Sequence, residues 1–270
     1  MRILLTNDDG IRAPGIQALY YEIVKLGEVH TIAPATVQSA TSHGVTFHEP
    51  LMVQPLQVNE EMRGVAVEGR PADCVKLAIT SLWEERYGGQ PDLVISGMNA
   101  GTNVGIHIIY SGTIGAAIEG AFLGLPAFAV SLHFLDFDAI RWKVAARHAR
   151  EAIEKCLEHR EDVMRPHSVL NINLPLTEGP DIPEDAPRPS IRVVPMNLSA
   201  VNDQYDKRTS PSGNDYYWIT GDGLDFNHTS EGSDVEALFA KHIVVTPLQY
   251  DLTDHGRLDK WRNMVGEQDS

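Results

Sequence analysis

The chain predicts an α/β protein in which a mostly parallel sheet with crossover helices is followed by a β-rich C-terminal arm. Three observations carry this. Short apolar runs alternate with helix-period stretches up to Leu174, five prolines fall between Leu174 and Ser190, and short β-like runs with turn pairs such as Ser212-Gly213 come after them.

The elements follow in order. Arg2 to Thr6 is an apolar strand, and after Pro14-Gly15 the series Ile16, Leu19, Tyr20, Ile23, Val24 predicts a helix stopped by Gly27. Val29 to Ala33 and Val65 to Val67 are further strands, and Pro71 opens a helix carrying Val75, Leu77, Ala78, Ile79 and Leu82. Leu93 to Ser96 is a strand that runs into a glycine-rich stretch, Gly97 to Gly112. A small-residue helix (Thr113 to Leu123), a strand (Ala127 to Leu132), a helix from about Asp138 to His159 and a strand (Val169 to Leu174) complete the core. The predicted organisation is an α/β core over 1–175 and a β-rich arm and tail over 176–270, where Ile191 to Val194, Tyr216 to Thr220 and Ile243 to Thr246 read as strands. Tyr216-Tyr217-Trp218 reads as the core of that arm.

The length of 270 residues buries a sizeable core without staples, and the 43% hydrophobic content fits a globular chain. With 22 Lys and Arg against 37 Asp and Glu the net charge is −15, which argues against holding a nucleic-acid duplex through the overall field and leaves room for a local phosphate site. Cys74 and Cys156 lack metal or redox spacing and read as buried thiols of a reducing compartment. The run Ile3-Leu4-Leu5 is too brief for a signal segment or a membrane span, so a cytoplasmic location is expected.

Asn7-Asp8-Asp9-Gly10 follows the first strand, which puts both carboxylates at the carboxyl edge of the sheet, where open α/β folds bind ligands. Adjacent carboxylates repel, and a hard divalent cation is the usual remedy, although a bare Asp-Asp pair also serves as a polar turn or helix cap. The loop Pro34 to Gly44, with Gln38, Ser39, Thr41, Ser42 and His43, is long for such a connection. Gly97 to Gly105 interleaves glycines with Asn99 and Asn103, whose amides suit a cation or a phosphate. Ser111-Gly112-Thr113 opens a helix, a ready anion site and equally an ordinary cap. Gathered at one edge, these groups describe metal-assisted phosphate ester hydrolysis. A receiver-like signalling module also carries an acidic pair binding Mg²⁺ but is far shorter. A catalytically silent nucleotide-binding protein is the other alternative.

Asn7-Asp8-Asp9-Gly10, Ala33-Pro34 with Gln38-Ser39, Pro71-Ala72-Asp73-Cys74-Val75, Ser96-Gly97 through Asn103, and Tyr110-Ser111-Gly112-Thr113 together resemble the SurE survival-protein family of 5′-nucleotidases. The motifs are dense to about residue 132, and Val245-Thr246-Pro247-Leu248 with Asp251-Leu252-Thr253 resembles the family's closing segment. The resemblance implies a Rossmann-like core with helices on both faces of the sheet, and a C-terminal arm exchanged in a homodimer or homotetramer. It also implies a phosphatase using a divalent cation, Mg²⁺ or Mn²⁺, to hydrolyse nucleoside 5′-monophosphates, with 3′-nucleotides and short polyphosphate as candidate further substrates. Matched position by position, Asp8, Asp9, Ser39 and Asn99 are metal ligands, and Asn7, Asn103, Ser111, Gly112 and Thr113 face the phosphate. Asp8 and Asp9 are the catalytic candidates, Asp8 either ligating only or also handling the proton of the attacking water. Where the family has Gly-Thr-Pro-Ala-Asp, this chain has Gly69-Arg70-Pro71-Ala72-Asp73. Arg70 either contacts phosphate or alters substrate choice, or lies exposed or paired with Asp73 or Glu68.

Overall fold

The computed structural model describes residues 1–179, 181–220 and 224–266. The first half runs β1 (Arg2–Thr6), α1 (Pro14–Ile23), β2 (Glu28–Pro34), β3 (Val53–Gln57), β4 (Arg63–Val67), α2 (Pro71–Leu77), α3 (Trp83–Tyr87), β5 (Leu93–Ala100), α4 (His107–Tyr110), α5 (Gly112–Phe122) and β6 (Ala127–Leu132). The second half runs α6 (Trp142–Leu157), α7 (Arg160–Val163), β7 (Val169–Leu174), β8 (Ile191–Val193), β9 (Gln204–Thr209), β10 (Asp215–Thr220), α8 (Asp234–Phe239), β11 (Ile243–Leu248) and α9 (Leu258–Val265).

Nine strands form one sheet in the order β3-β4-β2-β1-β5-β6-β7-β11-β8, with β4 through β7 parallel. β3 pairs antiparallel with β4 on one edge, and β11 pairs antiparallel with β7 on the other. Because successive strand residues point to opposite faces, Ile3 and Leu5 of β1 join a core with α1 and α6, whereas Leu4 joins a second core with α2 and α5. The apolar stripe Ile16, Leu19, Ile23 of α1 is fully buried, each such side chain contributing about 1.5–3 kcal/mol. The predicted α/β sheet with helices on both faces is what the chain forms.

The differences have local causes. The strand expected to stop at Ser96 continues through Ala100, because after a register shift Asn99 pairs with Ser131 of β6. The helix expected from Asp138 starts at Trp142, since Asp136 caps a short turn by accepting from the Asp138 amide at 3.1 Å and Ile140 is extended. The helix expected to run from Pro71 through Leu82 is interrupted, α2 giving way at Ala78–Leu82 to a wider turn. Within 176–270, β8 and β11 lie in the main sheet, while among the described residues the β9–β10 hairpin forms a second, two-stranded sheet. Tyr216, Tyr217 and Trp218 on that hairpin are exposed rather than core. Cys74 is buried and Cys156 half-buried, and both are unpaired.

Candidate active site

β1 has β2 on one side and β5 on the other, and the chain leaves it in opposite directions, so a crevice opens at the carboxyl ends of β1 and β5. The turn after β1 is built to sit there. The Asn7 Nδ2 donates to the Gly10 carbonyl at 2.9 Å, and Gly10 takes φ +94°, a conformation that suits glycine. The Ile11 amide donates to the Pro34 carbonyl at 2.8 Å, and the Gln38 amide donates to the Asp8 carbonyl at 2.7 Å. Asn7 is fully buried, so it shapes the turn, and its Oδ1 has no hydrogen-bond partner among the described residues.

Asp8 lies under the N-terminus of α5. The Thr113 hydroxyl donates to Asp8 Oδ1 at 2.6 Å. A Cβ at Gly112 would stand 3.1 Å from Asp8 Oδ2, tighter than an ordinary contact, so glycine here lets the helix approach the carboxylate without displacing it. Burial pushes the Asp8 carboxyl up to about 6, with hydrogen bonds from Thr113 opposing and the Asp9 charge adding to the rise. Asp9 is also raised by burial, against the Ala100 amide, which donates to its Oδ2 at 2.9 Å. Among the described residues no basic side chain pairs with either carboxylate. Among the described residues no three His, Cys, Asp or Glu side chains gather as a metal centre. The donors present are therefore two uncompensated carboxylates plus neutral oxygens, a set that fits a hard cation such as Mg²⁺ or Mn²⁺ and not a thiolate or imidazole site.

The other expected residues divide. Asn99 precedes Ala100, the last residue of β5 and the one bound to Asp9, and its Nδ2 donates to the Gly101 carbonyl at 2.8 Å, which orients the amide. Ser39 is exposed and follows Gln38 on the loop tied to Asp8, and its hydroxyl makes no hydrogen bond among the described residues. Ser111 caps α5 by accepting from the Ile114 amide at 3.1 Å. Asn103 departs from the phosphate-facing expectation: it is buried, and its Nδ2 donates to Ser131 Oγ at 2.7 Å. Its carbonyl accepts from Asn171 and Asn173, and its amide donates to Asn173 Oδ1 at 2.8 Å. These two asparagines of β7 hold the Asn99 loop, and their signal in the sequence was an apolar strand interrupted twice at period two.

Arg70 precedes α2, its guanidinium lying against Gly44 in the space a side chain there would fill. Asp73 does not pair with it: Oδ1 and Oδ2 accept from the Thr46 amide and hydroxyl, and Oδ2 also accepts from the Arg70 backbone amide. A cleft of about 610 Å³, lined by Gln38, Phe47, His48, Glu68 and Arg70 among others, adjoins the turn that carries Asp8.

This geometry can be set beside known proteins. The family model described as survival protein SurE matches residues 3–199. The chain belongs to the SurE family. It is similar to the 5′-nucleotidase SurE of Heliobacterium modesticaldum, 40% identical over 98% of this chain and 92% of the relative, and to that of Rhodopirellula baltica, 41% identical over 97% and 98%. Among solved structures it is similar to the crystal structure of the SurE protein from Aquifex aeolicus, with a TM-score of 0.78 and 33% identity over 98% of this chain and 100% of that one. The match extends past residue 199 in these SurE relatives, so the strands that close the sheet from the C-terminal side are part of the shared fold.

Proposed function

We propose that the chain is a phosphoric monoester hydrolase that cleaves nucleoside 5′-monophosphates to nucleoside and phosphate. The observation that carries this is the pair Asp8 and Asp9 at the switch point of the sheet, Asp8 held by Thr113 at the N-terminus of α5 and Asp9 by the Ala100 amide of β5. SurE membership and the printed names of its relatives support the same reaction.

Asp8, Asp9, Ser39 and Asn99 would hold a divalent cation, which supplies Lewis-acid polarisation of the phosphoryl group and offsets the two negative charges. The residues of the chain do the rest. The Gly112 amide and the Ser111 hydroxyl, whose oxygen accepts from the Ile114 amide and whose proton is left to donate, face the phosphate at the start of α5. The Thr113 hydroxyl fixes the Asp8 carboxylate, which orients a water for attack on phosphorus opposite the ester oxygen or accepts its proton. The new P–O bond replaces the ester P–O bond, and the nucleoside leaves as its alcohol on taking up a proton. The β9–β10 hairpin and the tail serve assembly into a homodimer or homotetramer. The cytoplasmic location rests on the two unpaired cysteines.

The test is phosphate release from a panel of nucleoside 5′- and 3′-monophosphates and short polyphosphate, with Mg²⁺ or Mn²⁺ and after EDTA with exhaustive dialysis. Turnover with metal, lost on chelation and restored by adding it back, is expected. Full activity in EDTA refutes the metal reading, and nucleotide binding without turnover makes the chain a silent binding protein.

A further inference from the structure

Glu119 is a buried carboxylate the proposed reaction does not use, and it interrupts a helix otherwise made of small and apolar residues. Its side chain is 3% exposed and both oxygens are occupied. His43 Nε2 lies 2.6 Å from Oε2, and Lys76 Nζ on α2 lies 2.8 Å from Oε1. His43 belongs to the loop that carries Ser39.

That loop has no regular structure to hold it, and Ala40 and Ser42 take φ of 55° and 54°, conformations that non-glycine residues occupy only when surrounding contacts enforce them. The contacts are few. The Gln38 amide is bound to the Asp8 carbonyl, and the Ser42 amide and hydroxyl donate to the Tyr110 and Ile109 carbonyls at 3.0 and 2.7 Å. Past Ser42 the loop lies on α5 itself, where a Cβ at Gly115 would come within 2.5 Å of the Ser42 carbonyl oxygen. The His43–Glu119 bond is the side-chain tie across this contact. The same helix holds Asp8 through Thr113, six residues or about 9 Å before Glu119. A buried ion pair adds little stability over apolar residues of the same shape, so its use here is geometric.

We propose that Glu119 and His43, braced by Lys76, are positioning residues that latch the Ser39 loop to α5 and so set its register over the Asp8–Asp9 turn. The effect on rate rests on the hydrolytic reading above; the effect on the loop does not.

Three measurements on the full chain test it: hydrogen exchange of the 38–44 amides, calorimetric titration with Mn²⁺ alone, and phosphate release from adenosine 5′-monophosphate. In His43→Ala, whose side chain is partly exposed, exchange across 38–44 is expected to accelerate. Mn²⁺ affinity and kcat/KM are each expected to fall about tenfold, the usual scale for groups that orient ligands. His43→Gln keeps an N–H donor toward Glu119 and should recover most of both, and His43→Ala with Glu119→Gln should be no worse than His43→Ala alone. Wild-type exchange and Mn²⁺ affinity in His43→Ala, or a His43→Gln variant as impaired as His43→Ala, overturns the latch. If the wild-type chain releases no phosphate, the hydrolytic reading falls and exchange at 38–44 still decides the latch.

Discussion

Asp8 is held by one hydroxyl at 2.6 Å and by a glycine that leaves room for the helix, so its shape and its charge can be separated by mutation. Asp8→Asn preserves the shape and removes one negative donor. A loss of kcat on the order of a hundredfold or more is expected, with an unchanged far-UV circular dichroism spectrum; near-wild-type kinetics would remove Asp8 from the reaction. Arg70 stands where the resemblance implies a threonine, and Asp73, which accepts from Thr46 and from the Arg70 backbone amide, does not pair with its guanidinium in the cleft beside the Asp8 turn. A planar guanidinium there suits a bidentate contact with phosphate oxygens. Arg70→Thr is expected to raise KM for nucleoside monophosphates several-fold with kcat nearly constant, as when binding is lost equally from substrate and transition state. An unchanged KM across the nucleotide panel assigns Arg70 to the solvent-facing surface.

At the scale of the element, α5 does three things at once. Its first turn caps Asp8, its small face packs on β5 and β6, and Glu119 collects His43 and Lys76. Burial pushes the Glu119 carboxyl up, but hydrogen bonds from His43 and Lys76 outweigh it and leave the group below its ordinary 4.5. The unfolded chain therefore takes up this proton first as pH falls. The stabilisation is complete above about pH 4.5 and is lost as pH drops through the folded-state value. Glu119→Gln should flatten the fall of the urea midpoint between pH 6 and pH 3 relative to wild type, and parallel curves for the two proteins would refute the assignment.

At the scale of the whole molecule, the β9–β10 hairpin stands outside the main sheet and carries exposed apolar side chains, with Tyr217 59%, Trp218 60% and Ile219 62% exposed. A two-stranded hairpin is marginal alone in water, and this one exposes aromatic and aliphatic side chains on both of its faces, which suits burial against a second copy. A dimer or larger assembly is expected by light scattering at micromolar concentration, and deletion of 204–220 should shift it toward monomer. A monomeric wild-type chain would end the proposal of arm exchange.

Periodicity made the central parallel strands and the paired helices legible, because the alternation of β1 and the 3.6-residue stripe of α1 are local consequences of which faces must be dry. The motifs also placed Asp8, Asp9, Asn99 and Thr113 at one edge, since each follows a strand or starts a helix. Other features depended on contacts remote in sequence. Asn103 reads as a loop asparagine, and only the register of β6 and β7 turns it to Ser131 and Asn173. The β11 strand reads like part of an arm until its antiparallel pairing with β7 seats it in the main sheet. Glu119 carries no signal of its own within the small-residue helix, and its partners appear only where the Ser39 loop and α2 close over it. Local pattern determines whether a segment is a strand or a helix and which side is apolar. The partner of a buried polar group is chosen by chain segments that meet only after the sheet has assembled, and for that reason the acidic turn was visible in the sequence while the pairing of Asn103 with β7 and of Glu119 with His43 and Lys76 was not.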